Sequence, residues 1–156
     1  MALVQIIAAH SEDRLHTVRE LFQEYAGSLA IDLCFQNFRE ELAGLPGKYA
    51  PPAGRLLLAL ENEAMAGCVG LRPLAPNTAE IKRLYVRPAF RGRGVGRKLT
   101  QTVIESARQI GYARIRLDTL ATMKEAVLLY QSLQFKAIPP YYENPSGCAQ
   151  FFELEL

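Results

Sequence analysis

A short glycine-rich segment between a predicted strand and a predicted helix constrains the fold of this chain more than any other feature. Residues 80–98 read EIKRLYVRPAFRGRGVGRK, with glycine at the alternate positions 92, 94 and 96. Glycine lets the backbone bend sharply and approach a ligand closely, and the first turn of a helix carries free amides that favour an anion. The segment therefore predicts a strand, a turn at Pro88, an anion-binding loop and the start of a helix.

The same segment is strongly basic, which fits an anionic ligand. It has no acidic residue after Glu80, and its basic residues are Lys82, Arg83, Arg87, Arg91, Arg93, Arg97 and Lys98. The Walker A pattern G-x-x-x-x-G-K-[ST] fits no stretch of the chain. The dinucleotide pattern G-x-G-x-x-G fails because Arg97 occupies the position of its third glycine. The anion site is therefore of another type.

Two motifs resemble those of the GNAT N-acetyltransferase superfamily. The first is Arg91-x-x-Gly94-x-Gly96 after the strand IKRLYV, which is similar to the family's motif A, R/Q-x-x-G-x-G/A. The resemblance implies that this loop holds the pyrophosphate of acetyl-CoA.

The second motif lies further along, where the family often carries N-x-x-A-x-x-L-Y-x-x-x-G-F. The matching residues are Ala126, Leu129, Tyr130 and Phe135. Two positions depart from the pattern, because Met123 replaces the usual Asn and Gln134 replaces the usual Gly. We expect Gln134 to occupy a turn that glycine would adopt more freely. The missing Asn removes a familiar contact with the pantetheine arm.

Composition indicates an ordinary globular protein. The chain has 156 residues, 49% of them apolar and 22% charged, with a formal net charge of +2, so we expect a single domain spanning residues 1–156. The charge does not suggest a nucleic-acid or membrane partner. Three widely spaced cysteines without nearby histidines argue against a metal site and a disulfide framework. With no apparent signal peptide or long apolar run, we expect a cytoplasmic location.

Hydrophobic periodicity predicts mixed secondary structure. Strands are predicted at 4–9, 55–60, 64–71, 79–86, 113–118, 135–138 and 150–156, and helices at about 12–27, 34–42, 95–110 and 123–133. Residues 44–54 are predicted to form a loop. The fold class is α/β (α+β): a mixed, mostly antiparallel sheet of about six or seven strands flanked by about four helices, with one β-α-β crossover after the glycine loop. This order resembles the GNAT fold.

The strand before the glycine loop alternates imperfectly. Ile81 has odd parity, whereas the apolar residues Leu84 and Val86 have even parity. A one-residue insertion reverses the faces of a strand, so the pattern predicts a β-bulge, a feature that is frequent beside active sites.

The resemblance also implies site residues. Residues expected to bind acetyl-CoA as co-substrate are Leu84, Tyr85, Val86, Arg91, Gly92, Arg93, Gly94, Val95, Gly96 and Arg97. Tyr130 is expected to act as the acid toward the departing thiolate, and its alternative role is a packed core tyrosine. Glu80 is the candidate base, with His10 and His16 as alternatives; it could equally be a surface or salt-bridged glutamate beside Lys82 and Arg83. A base is needed because an amine of pKa about 10 is only about 0.1% neutral at pH 7.

Acceptor and partners are less constrained. Tyr141 and Tyr142 lie in a loop that overhangs the acceptor side in this fold, so they are weak candidates for substrate binding. The expected activity is transfer of the acetyl group of acetyl-CoA to a small-molecule or peptide amine, without a metal. An acyl group other than acetyl, a homodimer, and a CoA-binding regulatory module without turnover remain open. We expect no nucleic-acid binding, because aromatic residues do not alternate with the basic ones.

Overall fold

The computed structural model describes residues 3–29, 37–144 and 147–156. Its strands are β1 (Val4–Ala8), β2 (Arg55–Glu61), β3 (Ala64–Ala75), β4 (Thr78–Val86), β5 (Arg114–Leu120), β6 (Lys136–Ile138) and β7 (Ala149–Glu155). Its α-helices are α1 (Glu12–Ser28), α2 (Phe38–Ala43), α3 (Val95–Ile110) and α4 (Lys124–Ser132). Short 3-10 turns lie at Gly47–Tyr49 and Pro88–Phe90.

The described strands form one sheet in the order β1-β2-β3-β4-β5-β7-β6. All neighbours are antiparallel except β4 and β5, which are parallel because α3 carries the chain back across the sheet between them. A parallel pair needs such a crossover. The predicted fold class, with seven strands and four helices in the described part, is confirmed.

Apolar side chains pack on both faces of the sheet. On one face, α3 and α4 cover a cluster that includes Leu57, Ile81, Leu99 and Leu117. On the other face, α1 covers a second cluster that includes Phe22, Leu56 and Leu58. Strand alternation assigns Leu57 to the first face and its neighbours Leu56 and Leu58 to the second. The central strands are therefore buried on both sides.

The predicted bulge in β4 is present. Cys68 pairs with Tyr85 and Gly70 with Lys82, so one residue of β3 opposes two of β4. Arg83 takes a left-handed φ of 60° at this point. Ile81 before the bulge, and Leu84 and Val86 after it, all pack against the cluster under α3. The bulge thus explains the change of parity.

Beyond the bulge, β4 separates from β5. Their described ladder contains only the pairs from Thr78↔Arg114 to Glu80↔Arg116, whereas β4 stays paired with β3 as far as Val86. A gap therefore opens between β4 and β5 toward their carboxyl ends. This is where open parallel strands usually bind a ligand.

Several predicted boundaries move by a few residues. The predicted helix 34–42 is observed as α2 over Phe38–Ala43, and its first residues, including Cys34, lie outside the described part. β3 runs on to Ala75, and α4 begins at Lys124 rather than at 123. Ser11 is the N-cap residue of α1 but its side chain makes no capping hydrogen bond. Gln134 has a φ of 74°, the conformation that glycine favours, as predicted.

Candidate active site

A groove of about 600 Å³ runs along the end of β4 that has separated from β5. It joins the bulged end of β4, the glycine loop and the first turn of α4. The predicted CoA-binding residues that line it are Leu84, Tyr85, Val86, Arg91, Gly92, Gly94, Val95 and Gly96. The remaining two, Arg93 and Arg97, are not among its described lining residues.

The glycine loop presents free amides to this groove. Gly92 and Gly94 have φ of 78° and 81°, and Gly94 is the N-cap of α3. The first intrahelical bond of α3 runs from the Lys98 amide to the Gly94 carbonyl at 3.0 Å, and no side chain caps the helix. The amides of residues 95–97 are therefore available to an anion, and the helix dipole favours one there.

The arginines of the loop have different partners. Arg91 donates from Nε to the Val86 carbonyl at 2.9 Å, which ties the loop to the end of β4. Arg93 pairs with the buried carboxylate of Glu61 at 2.9 Å. Arg97 donates to Ser132 Oγ at 2.8 Å. These contacts hold the loop against β2, β4 and α4.

Tyr130 is buried on α4, with only 5% of its surface exposed. Its ring lies 5.6 Å from that of Phe135 and 6.3 Å from that of Phe152. It lines a small pocket that adjoins the groove, and its hydroxyl has no hydrogen-bond partner among the described residues. Burial, followed by the charges of Tyr25 and then Asp118, raises the pKa of Tyr130, so the phenol stays protonated at neutral pH.

Glu80 is also buried, with 2% exposure, at the last paired position of β4 and β5. Oε1 accepts from Arg72 Nε at 3.0 Å, and Oε2 accepts from the Tyr141 hydroxyl at 2.7 Å. Of the two structural alternatives expected for Glu80, the salt-bridged one is observed and the surface one is not. The partner is Arg72 on β3 rather than Lys82 or Arg83, because the antiparallel register places Arg72 directly opposite Glu80.

Tyr141 and Tyr142, the predicted substrate-binding residues, lie beside the gap with their rings 5.5 Å apart and both against Phe151. The Tyr142 hydroxyl donates to Asp118 Oδ2 at 2.5 Å. Burial and the adjacent carboxylates raise the pKa of both phenols. The pair thus links the final loop to the carboxylates of β4 and β5.

The alternative bases lie elsewhere. His10 lies beside Leu56 of β2, two strands from β4, which corresponds to about 10 Å at the usual strand spacing. Burial and the charge of Arg55 lower its pKa. His16 is exposed on α1 and pairs with Glu20 at 3.0 Å. Neither is among the described residues that line the groove.

Sequence reasoning missed the ionic groups around the gap. Asp118 of β5 accepts from Lys82 Nζ at 3.0 Å, and Glu41 of α2 receives two hydrogen bonds from Arg83. One signal was present in the sequence. Asp118 follows the buried residues Ile115 and Leu117 at the opposite parity of β5, which places it on the face of the sheet that carries Glu80 and Lys82.

Comparison with known proteins identifies the family. A family model described as "Acetyltransferase (GNAT) family" matches residues 15–135. An uncharacterized N-acetyltransferase of Schizosaccharomyces pombe is 40% identical, over 98% of this chain and 95% of the relative. The chain belongs to the GNAT family. It is therefore an acyltransferase, related to N-acetyltransferases along nearly its whole length.

Solved GNAT structures share the fold. A GNAT-family acetyltransferase of Staphylococcus aureus superposes with a TM-score of 0.79 at 21% identity, covering 98% of this chain and 99% of the other. A protein of Salmonella typhimurium, solved with its cofactor acetyl-CoA, gives a TM-score of 0.70 at 21% identity, covering 97% and 93%. In the described part of this GNAT chain, no helix has the length and apolar character needed to cross a membrane.

Proposed function

We propose that this chain binds acetyl-CoA in the groove and transfers its acetyl group to a primary amine by direct attack. The observation that carries the proposal is the continuity of the groove. The groove contains the free amides at the start of α3 and the edge of β4 that is not paired with β5, and the small pocket lined by Tyr130 adjoins it. A protein of the same fold, from Salmonella typhimurium, holds acetyl-CoA. The single sheet that runs from residue 4 to residue 155 supports a single domain.

The groove offers a site for each part of the co-substrate. The amides of residues 95–97 and the positive end of α3 would hold the diphosphate, each charge-assisted hydrogen bond contributing about 1.5–3 kcal/mol. Main-chain groups of Leu84 and Tyr85, on the side of β4 that has left β5, would bind the pantetheine amides. They would also polarise the thioester carbonyl as an oxyanion site does.

The chemical step then needs two proton transfers. The amine nitrogen attacks the thioester carbon, and the carbon–sulfur bond breaks with its electron pair on sulfur. The amine proton passes to Glu80, directly or through a water, and the Tyr130 hydroxyl gives its proton to the departing thiolate. Glu80 then releases its proton to solvent, and solvent reprotonates the phenol, so the cycle closes. The buried phenol suits this role because it stays protonated and its hydroxyl has no partner among the described residues.

Thermal melting tests the donor site. Acetyl-CoA and CoA are expected to raise the melting temperature by several degrees, whereas ATP at matched ionic strength is not, because ligand binding to the native state stabilises it. Thiol release with a set of amines then measures turnover. No shift with either CoA species would contradict the proposal. A shift without amine-dependent thiol release would favour a regulatory CoA-binding module.

Replacing Glu80 with glutamine tests the base. We expect kcat to fall about 10²-fold, the usual contribution of a general base, with acetyl-CoA affinity unchanged. Since Glu80 is paired with Arg72, some loss of melting temperature should accompany the change.

Two further variants separate the roles of Glu80. Glu105→Gln removes an exposed carboxylate of α3 and should leave kcat unchanged. Tyr141→Phe removes the hydroxyl that binds Glu80 Oε2 but leaves the carboxylate. If Glu80→Gln retained wild-type kcat, Glu80 would be a structural ion-pair partner and not the base.

A further inference from the structure

A small pocket at the closed end of the gap holds a pair of opposite charges that the proposed acetyl transfer does not use. The pocket measures about 40 Å³, enough for a few non-hydrogen atoms, and adjoins the acetyl-CoA groove. Lys82 from β4 and Asp118 from β5 line it, together with Tyr25, Tyr130 and Met123. It therefore lies where an acceptor would meet the thioester.

Lys82 is short of hydrogen-bond partners. Its side chain is only 5% exposed, and Nζ has one acceptor among the described residues, Asp118 Oδ1 at 3.0 Å. The ring of Tyr142 lies 5.9 Å from the same nitrogen. An ammonium has three N–H donors, so two of them lack an acceptor in the described part of a nearly buried site. Such donors, on a charged ammonium, favour an anionic ligand in the pocket.

Asp118 provides the complementary group. Its side chain is 10% exposed, and besides Lys82 it accepts from the Tyr142 hydroxyl at 2.5 Å. An ionised carboxylate has about four lone-pair sites, so it can accept further hydrogen bonds. It lines the same small pocket as Tyr25 and Tyr130, so the carboxylate lies near the proposed acid. An ammonium bound by Asp118 would therefore lie close to the reacting atoms.

We infer that this pocket binds the head group of an α-amino acid, with the acceptor's carboxylate on Lys82 and its amino group beside Asp118. The inference rests on the proposed function and names its acceptor class. In an α-amino acid the nitrogen and the carboxyl carbon are about 2.5 Å apart, given standard bond lengths and angles. Lys82 Nζ and Asp118 Oδ1 are 3.0 Å apart. The separation of the two charges in the pocket is therefore similar to the separation of the two charges in the ligand.

The same pair disfavours a simple amine. Lys82 neutralises much of the attraction of Asp118 for an isolated ammonium. An acceptor with its own carboxylate gains an ionic contact with Lys82 that a plain amine cannot make. Specificity of this kind combines a favourable contact with the intended ligand and repulsion of its competitors.

Matched acceptors test the inference in the wild-type protein. Each of the twenty amino acids is assayed for thiol release with acetyl-CoA, and the best is compared with its carboxamide and its decarboxylated amine. We expect kcat/KM for the acid to exceed that for either analogue at least about tenfold. Faster or equal turnover of the amide or the amine would overturn the inference and leave the proposed function standing. Absence of thiol release with every acceptor would instead defeat the proposed function.

Lys82→Gln tests whether Lys82 binds the carboxylate of the acceptor. The variant should raise KM for the amino acid at least about tenfold and leave KM for the carboxamide unchanged. Lys136→Gln, which removes an exposed lysine of β6, is the control and should change neither. The acetyl-CoA melting shift checks that the groove is intact. An equal rise in KM for the amino acid and the carboxamide, or no rise for either, would overturn the assignment of Lys82.

Discussion

Replacing Gly94 with glutamate is expected to weaken acetyl-CoA binding at least about 100-fold. Gly94 caps α3 and lines the groove, and a Cβ built at this position meets no atom within 4 Å. The new side chain therefore has room to extend over the amides of residues 95–97. Its carboxylate would compete for the site proposed for the diphosphate and repel it. A 100-fold loss is about 2.7 kcal/mol, comparable to the loss of one or two charge-assisted hydrogen bonds.

Gly94→Ala separates charge from backbone strain. The φ of 81° is unfavourable for any residue with a Cβ, at about 1–2 kcal/mol, so both variants lose stability. Alanine adds no charge and meets no neighbour, and its affinity should stay within about tenfold of the wild type. Calorimetric titration with acetyl-CoA measures both. Near-normal affinity in Gly94→Glu would mean that the loop does not bind the diphosphate.

Local signals explain why much of the fold could be predicted. The glycine loop, the apolar stripe of α3 and its stop at Gly111 are encoded within a few residues of where they act, and Gly111 indeed has a φ of 109°. The bulge in β4 left a trace in the parity of Ile81 and Leu84, because each side chain must face one side of the sheet.

The charged partners around the gap could not be predicted in the same way. Glu80 pairs with Arg72 because the β3–β4 register places them opposite, and that register depends on the turn between the strands. At the bulge, Arg83 donates a hydrogen bond to Glu41 of α2, which is 42 residues away in the chain. Lys82 meets Asp118 only because α3 brings β5 alongside β4. Such contacts follow from tertiary geometry, and periodicity contains no information on them.

Tyr130→Phe is expected to reduce kcat about 10²-fold while changing the acetyl-CoA dissociation constant by no more than about threefold. The ring would keep its contacts with Phe135 and Phe152, since only the hydroxyl is removed. That hydroxyl has no partner among the described residues, so its loss should leave the melting temperature nearly unchanged. Single-turnover thiol release separates the chemical step from product release.

A matched phenol provides the control. Tyr112 donates to the Ala53 carbonyl at 2.6 Å and is not among the described residues that line the groove. Tyr112→Phe should therefore lower the melting temperature and leave kcat unchanged, the reverse of the result expected for Tyr130→Phe. The contrast is informative because burial alone does not distinguish a packed tyrosine from a proton donor. If Tyr130→Phe retained wild-type turnover, Tyr130 would be a packing residue, and the thiolate would leave without its help.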